Sequence, residues 1–195
     1  EAYWIERILC GEKIGVQDQL AAAHGGFNLI RYEKLAHHVS RATFSDSVKR
    51  TLENRLVLIN TGISRHAATV LNEQIENYSN VATIEIMRAM VRQAGIAYEL
   101  LLNGQVDDFG EFLNEAWKYK KMLSGGITNP EIDALYEKCL AHGALGGKLL
   151  GAGGGGYLLI YVNEAQRQNV LEAIKGHEIL PFKFTEKGSE IVYAS

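Results

Sequence analysis

The chain has 195 residues, 47% of them hydrophobic, and 20 lysines and arginines against 23 aspartates and glutamates give a formal charge of −3. That length suits one generous domain, or one domain with part of another, around a packed core. The basic residues are interspersed with acids, which leaves no electrostatic footprint for nucleic acid, and no apolar run approaches the roughly 20 residues of a bilayer span.

Residues 1–10 carry an amphipathic helical pattern closed by Gly11, so the sequence reads as starting inside a helix and cut from something longer. Residues 15–23 predict a turn into a short helix stopped by Gly25-Gly26. Strands are predicted at 27–32 and 35–42, and a short helix follows over 45–52 with Ser45 as its cap. The run Leu-Val-Leu-Ile within 55–60 predicts a buried strand. Residues 67–102 are helical with a division near Tyr78-Ser79 and a stop at Asn103-Gly104.

The next predicted helix, 106–123, carries Phe109, Phe112, Leu113, Ala116 and Trp117 at helical spacing, a stripe that reads as core. Pro130 opens a helix over 131–142 that runs into a glycine-rich segment. Beyond it come a strand at 157–162, a helix at 164–175, and a tail whose segments 179–184 and 190–193 predict a hairpin. Irregular alternation with hairpin-like returns favours an α+β fold, a mixed or antiparallel sheet with helices on one face.

Cys10 and Cys139 lie far apart without metal-ligand spacing and read as reduced core residues, and the pair His37-His38 belongs to no helical His motif that would suggest a metal site. The sequon Asn77-Tyr78-Ser79 reads as chance. More informative is the run from Lys148 to Gly156, with glycines at 151, 153, 154, 155 and 156. Backbone without side chains can approach a phosphate or a neighbouring loop closely. Gly151, Gly153 and Gly156 spell G-x-G-x-x-G, but the dinucleotide fingerprint needs a strand before and a helix after, and here a strand follows. A Walker A loop fails as well, because Leu149 follows Lys148. A phosphate-related site and a tight glycine turn between two strands both remain open on the run alone.

A second candidate lies at Gly15-Val16-Gln17-Asp18-Gln19. An aspartate at a helix entry suits a general base, or plain helix capping. Glu6 precedes it by twelve residues; a turn between them would bring two carboxylates together, a pattern suited to Mg²⁺, although Glu6 beside Arg7 reads equally as a solvated residue.

Glu6-Arg7, Gly15 to Gln19, Gly25-Gly26 and Lys148 to Gly156 resemble, in this order, the GHMP small-molecule kinases. Within that superfamily, Val16 to Ala23 with Gly25-Gly26-Phe27-Asn28, Thr61 to Arg65, and Gly143 to Gly156 look most like the D-glycero-D-manno-heptose 7-phosphate kinases. The resemblance implies an ATP-dependent enzyme that phosphorylates the anomeric hydroxyl of a heptose 7-phosphate in the cytoplasm, with Mg²⁺ as its ion. Its partners would be the sugar phosphate and ATP, with neither nucleic acid nor membrane, and a homodimer stays open.

By the same resemblance Asp18 is the catalytic carboxylate and Glu6 the Mg²⁺ ligand. Gly151, Gly153, Gly154 and Gly155 shape the nucleotide site, while Gln17, Gly25, Gly26, Arg65 and Lys148 face the substrate. The family's glycine- and serine-rich phosphate loop at a helix start is absent from the 195 residues. The expectation is therefore a carboxyl-terminal portion, with 1–54 a remnant of the amino-terminal domain and 55–195 the carboxyl-terminal domain. A fucose or galactose kinase and a non-catalytic binding fragment are the rival readings.

Overall fold

A computed structural model describes residues 2–12, 14–33, 36–64 and 67–193. Helix α1 (Ala2–Trp4) widens into a π-helical turn (Ile5–Leu9) and is followed by α2 (Gln17–His24). A two-stranded antiparallel ribbon, β1 (Phe27–Tyr32) and β2 (His37–Ala42), pairs Phe27 with Ala42 and Tyr32 with His37. Residue 35, at the predicted start of this second strand, lies outside the described residues. Then come α3 (Asp46–Arg55), β3 (Leu56–Asn60), α4 (Ala67–Asn77), α5 (Val81–Leu102), α6 (Val106–Lys121) and a 3₁₀ turn (Gly125–Ile127). The chain continues through α7 (Pro130–Ala141), β4 (Ala144–Leu149), β5 (Tyr157–Val162), α8 (Glu164–Ala173) and β6 (Ile179–Leu180).

The main sheet runs β4-β5-β3-β6 with every neighbouring pair antiparallel, and with the helices it makes the α+β fold expected from the sequence. Helix starts are set by side chains that take up free backbone amides. Ser45 Oγ accepts from Val48 N at 3.3 Å, Asn80 Oδ1 from Ala82 N at 2.9 Å, and Asn129 Oδ1 from Ile132 N at 2.9 Å. Strand β5 is covered on both faces: Leu158, Ile160 and Val162 join a cluster with Trp117, Ile132, Tyr136 and Ile174, while Tyr161 joins a second one with Leu52, Leu56, Leu101 and Leu113.

Glycines let α6 lie close on the sheet. A Cβ at Gly146 would stand 2.3 Å from the Gly110 carbonyl oxygen, and one at Gly110 would stand 2.3 Å from the Tyr161 ring. Strand β4 therefore carries glycine where a strand normally carries β-branched residues, and it lies between the expected helix over 131–142 and the glycine run, where no strand was predicted.

The tail departs from expectation too. Ile179 and Leu180 pair with Ile59 and Leu58 of β3, Pro181 has no amide to extend that ladder, and residues 190–193 form no strand. Instead Phe182 and Phe184 pack into the second cluster with Phe27 and Phe44. The expected 54/55 domain division falls inside α3, and the second cluster joins Phe27, Ala42 and Phe44 before it to Leu101, Leu113 and Tyr161 after it. Among the described residues no helix is long and apolar enough to cross a membrane.

Candidate functional site

Helix α2 presents Asp18 in its first turn, exposed to solvent. Capping does not account for it, because the N-cap is Val16 and no side chain bonds the helix start. Among the described residues no hydrogen bond engages the Asp18 carboxylate. Its negative charge is felt by the Tyr32 phenol, which is pushed up from its ordinary pKa first by burial and then by Asp18.

Glu6, in the π-helical turn, is brought to the same helix, where its Oε2 accepts from Gln19 Nε2 at 2.8 Å. The return is fixed by Glu12 N donating to Glu6 O at 3.0 Å and Arg7 Nη1 donating to Ile14 O at 2.7 Å. Gln19 Oε1 is buried and finds no donor among the described residues, an acceptor left over on the amide that meets the Glu6 carboxylate. Among the described residues no group of three or more His, Cys, Asp or Glu side chains surrounds a metal position.

A cavity of about 430 Å³ opens alongside, lined by Gln17, Gly26, Asn28 and Tyr32 on one wall and by Ala97 and Tyr98 of α5 on the other. Gly25 and Gly26 act here as a turn more than as donors. The Gly25 amide donates to Ala21 O at 2.9 Å and the Gly26 amide to Thr185 O at 2.7 Å, so both are already engaged. Asn28 Nδ2 donates to Gly25 O at 2.9 Å, which fixes the wall that Asn28 contributes.

The glycine-rich run is the turn between β4 and β5. It is stitched to two neighbours: Gly154 N donates to Ile127 O at 2.8 Å and Gly156 N to Ile63 O at 2.8 Å. A Cβ at Gly155 would stand 2.4 Å from Ile63 O, and one at Gly153, where φ is +119°, would stand 2.8 Å from Ile127 O. Gly151, Gly153 and Gly155 also line a cavity of about 440 Å³ together with Ile63 and Ser64.

A residue passed over in the sequence closes the entry to this turn. Lys120, from the last turn of α6, donates to Leu149 O at 3.2 Å and to Gly151 O at 2.6 Å. Burial, and then the charge of Lys148, bring its amine down to about 8. Lys148 is likewise pushed down by burial. Arg65, expected to face an anionic substrate, lies outside the described residues. No hydrogen bond or ion pair joins the Asp18 region to the glycine turn among the described residues.

Residues 97–179, from the second half of α5 to the start of β6 and including the glycine turn, match the family GHMP kinases C terminal. Residues 97–179 are a GHMP kinase C-terminal domain.

The similarity extends on both sides of that domain. A D-glycero-alpha-D-manno-heptose 7-phosphate kinase of Campylobacter jejuni is 30% identical over 190 residues, 96% of this chain and 56% of the relative. A bifunctional fucokinase/GDP-fucose pyrophosphorylase of Arabidopsis thaliana is 33% identical over 122 residues, 62% of this chain and 12% of that protein. Among solved structures, a D-glycero-D-manno-heptose 1-phosphate kinase from Bacteroides thetaiotaomicron superposes with a TM-score of 0.72 at 26% identity, over 98% of this chain and 54% of the other. The chain thus spans a little over half the length of the heptose kinases it matches. In the GHMP kinase C-terminal domain the glycine turn lies inside the matched stretch, whereas α2 with Asp18 lies before it.

Proposed function

We propose that this chain belongs to an ATP-dependent sugar kinase that phosphorylates the anomeric hydroxyl of D-glycero-D-manno-heptose 7-phosphate in the cytoplasm. The observation that carries the reading is the exposed carboxylate of Asp18 at the start of α2, beside a sugar-sized cavity walled by Gln17, Asn28 and Tyr32. The similarity to the Campylobacter heptose 7-phosphate kinase over nearly the whole chain supports the choice of sugar.

Asp18 orients the sugar hydroxyl and accepts its proton as the oxygen attacks the γ-phosphorus of ATP, whose bond to the β-phosphate oxygen breaks to release ADP. Gln17 and Asn28 offer amide groups to the other hydroxyls of the ring. Glu6 and the leftover Gln19 side-chain carbonyl oxygen are hard oxygen donors that would hold Mg²⁺. Bound there, the ion would neutralise charge on the nucleotide phosphates. Lys148 supplies positive charge near the glycine turn, and that turn supports the site without cradling phosphates. It leads into a strand, and the amides of Gly154 and Gly156 are already spent on Ile127 and Ile63. Residues 1–195 alone are therefore expected not to bind Mg-ATP in the micromolar range, which calorimetric titration checks directly.

The fucokinase relative supports a second reading, with fucose as the acceptor. Phosphorylation assays on the whole protein with heptose 7-phosphate, unphosphorylated heptose, fucose and galactose separate the two. A kcat/KM for heptose 7-phosphate well above the others is the expected result; preference for fucose would overturn the heptose assignment, and turnover of none would favour a non-catalytic binding role.

A further inference from the structure

Helix α2 has eight residues and buries only Leu20, so neither its length nor its packing suffices to fix its geometry. Beside the Gln19–Glu6 bond, what holds it comes from the other end of the chain. A helix ends with carbonyls that lack an intrahelical donor. Ala22 O is one of these, and the Ser189 amide fills it at 3.0 Å. The Gly26 amide, just past the helix, donates to Thr185 O at 2.7 Å.

The approach is so close that neither side tolerates a side chain. A Cβ on Gly25 would stand 2.3 Å from Gly188 N, and one on Gly188 would stand 2.1 Å from Ala23 O. Side chains then anchor the segment. Glu186 Oε2 accepts from Arg41 Nη2 at 2.7 Å while its Oε1 accepts from Lys49, which ties it to β2 and α3 together. One step back, Phe184 N donates to Glu53 Oε1 at 2.9 Å, and the Phe184 ring lies 4.5 Å from that of Phe27 in β1.

We propose that residues 183–189 are a positioning strap for α2, with Glu186 as the positioning residue that anchors it, so that the tail of the chain sets where Asp18 stands beside the cavity. The role of the strap toward Asp18 rests on the kinase reading above; its hold on α2 does not.

Hydrogen exchange on the 195-residue chain tests that hold, using Glu186→Gln, which removes the anchoring charge, and Gly188→Ala, which pries the strap off Ala23. Amides of residues 20–26 are expected to exchange roughly tenfold faster in both variants, with β3 and β5 protected as in the unmodified chain. Unchanged exchange at α2, or an equal loss of protection in β3 and β5, would overturn the strap. In the phosphorylation assay on the whole protein, the same variants should lower kcat with the KM for Mg-ATP unchanged. Faster exchange at α2 with a normal kcat would overturn the link to Asp18 and leave the kinase reading standing.

Discussion

Helix α2 and the glycine turn both carry candidate site residues, but they are held in different ways. Around the turn, Leu149, Leu158, Ile160 and Ile127 are fully buried, and backbone bonds from Gly154 and Gly156 stitch it to two neighbouring segments. Within α2, Leu20 alone is buried, and the helix leans on two backbone bonds, Ser189 N to Ala22 O and Gly26 N to Thr185 O. Burial of this density makes the sheet and its glycine turn the stable unit of the domain. The carboxylate that would do chemistry sits on the part with little stability of its own, where a small change in contacts shifts its position. Damage to the two regions should therefore read out differently, one in turnover and the other in stability.

The largest effect is expected at Asp18. In the whole protein, Asp18→Asn should lower kcat by roughly two orders of magnitude with little change in KM, because the amide can still hydrogen-bond a sugar but cannot accept its proton. Thermal melting of the domain should barely move, since the carboxylate is exposed and makes no hydrogen bond among the described residues. Steady-state kinetics beside a melting curve check both halves, and an unchanged kcat would remove Asp18 from the mechanism.

The opposite pattern is expected at Gly155. Gly155→Val places a branched side chain against the Ile63 carbonyl, where even a Cβ would stand 2.4 Å away, and should cost about 2–3 kcal/mol of stability. Gly25→Ala collides as closely with Gly188, yet there the strap can lift away and leave the main sheet in place. Denaturant unfolding of the two variants should thus give a clear loss for the first and a much smaller one for the second. Equal losses would mean that α2 and the sheet unfold as one unit.

Much of the tight region was legible in the sequence. The runs Leu56 to Asn60 and Tyr157 to Val162 are apolar and β-branched because both faces are covered, and that alone marks a buried strand. The asparagines at 80, 129 and 163 sit one residue ahead of their helices and cap them. Strand β4 was hidden because Gly146 and Gly147 answer to the close approach of α6 and of β5, a tertiary demand that outweighs strand propensity. The tail misled for a related reason: Ile179 and Leu180 look like half of a local hairpin, but their partner is β3, about 120 residues upstream. Asp18 was flagged by its setting and Asn28 only as the end of the run from Gly25, whereas Tyr32 gave no local signal, since the wall it forms depends on α5 arriving opposite it. Lys120 looks in sequence like an ordinary basic residue at a helix end.

Lys120 offers a pH test of how tightly the glycine turn is closed. Its amine is brought down from 10.5 to about 8, so between those values the unfolded chain binds more protons than the folded one. Stability contributed by this site must then rise as pH increases from about 8 to about 10.5, as the buried amine loses its charge and the burial penalty on the ammonium is relieved. The rise should be on the order of 1 kcal/mol. Other lysines and tyrosines titrate in the same window, so the measured quantity is the difference in unfolding free energy between the unmodified chain and Lys120→Met at pH 7.5 and at pH 10. That difference should shift toward the unmodified chain at the higher pH. No shift would mean that the amine is solvated and does not close the turn.

The smallest effects concern two helix caps, and they extend the same comparison into ordinary secondary structure. Asn129 caps α7 with a 2.9 Å bond to Ile132 N, and that helix sends Ile132, Leu135, Tyr136 and Cys139 into the main cluster. Ser45 caps α3 with a longer bond of 3.3 Å at an exposed position, in a helix that buries only Leu52. Removing a cap leaves a backbone amide to be satisfied by water, which matters more where the helix start cannot open without disturbing packed side chains. Asn129→Ala should therefore cost about 1 kcal/mol, and Ser45→Ala about 0.5 kcal/mol or less. Chemical denaturation resolves the two if both are measured against the same unmodified chain. An equal cost would show that the second apolar cluster fixes the start of α3 as firmly as the main cluster fixes that of α7, and the loosely held part of the molecule would then shrink to α2 and its strap.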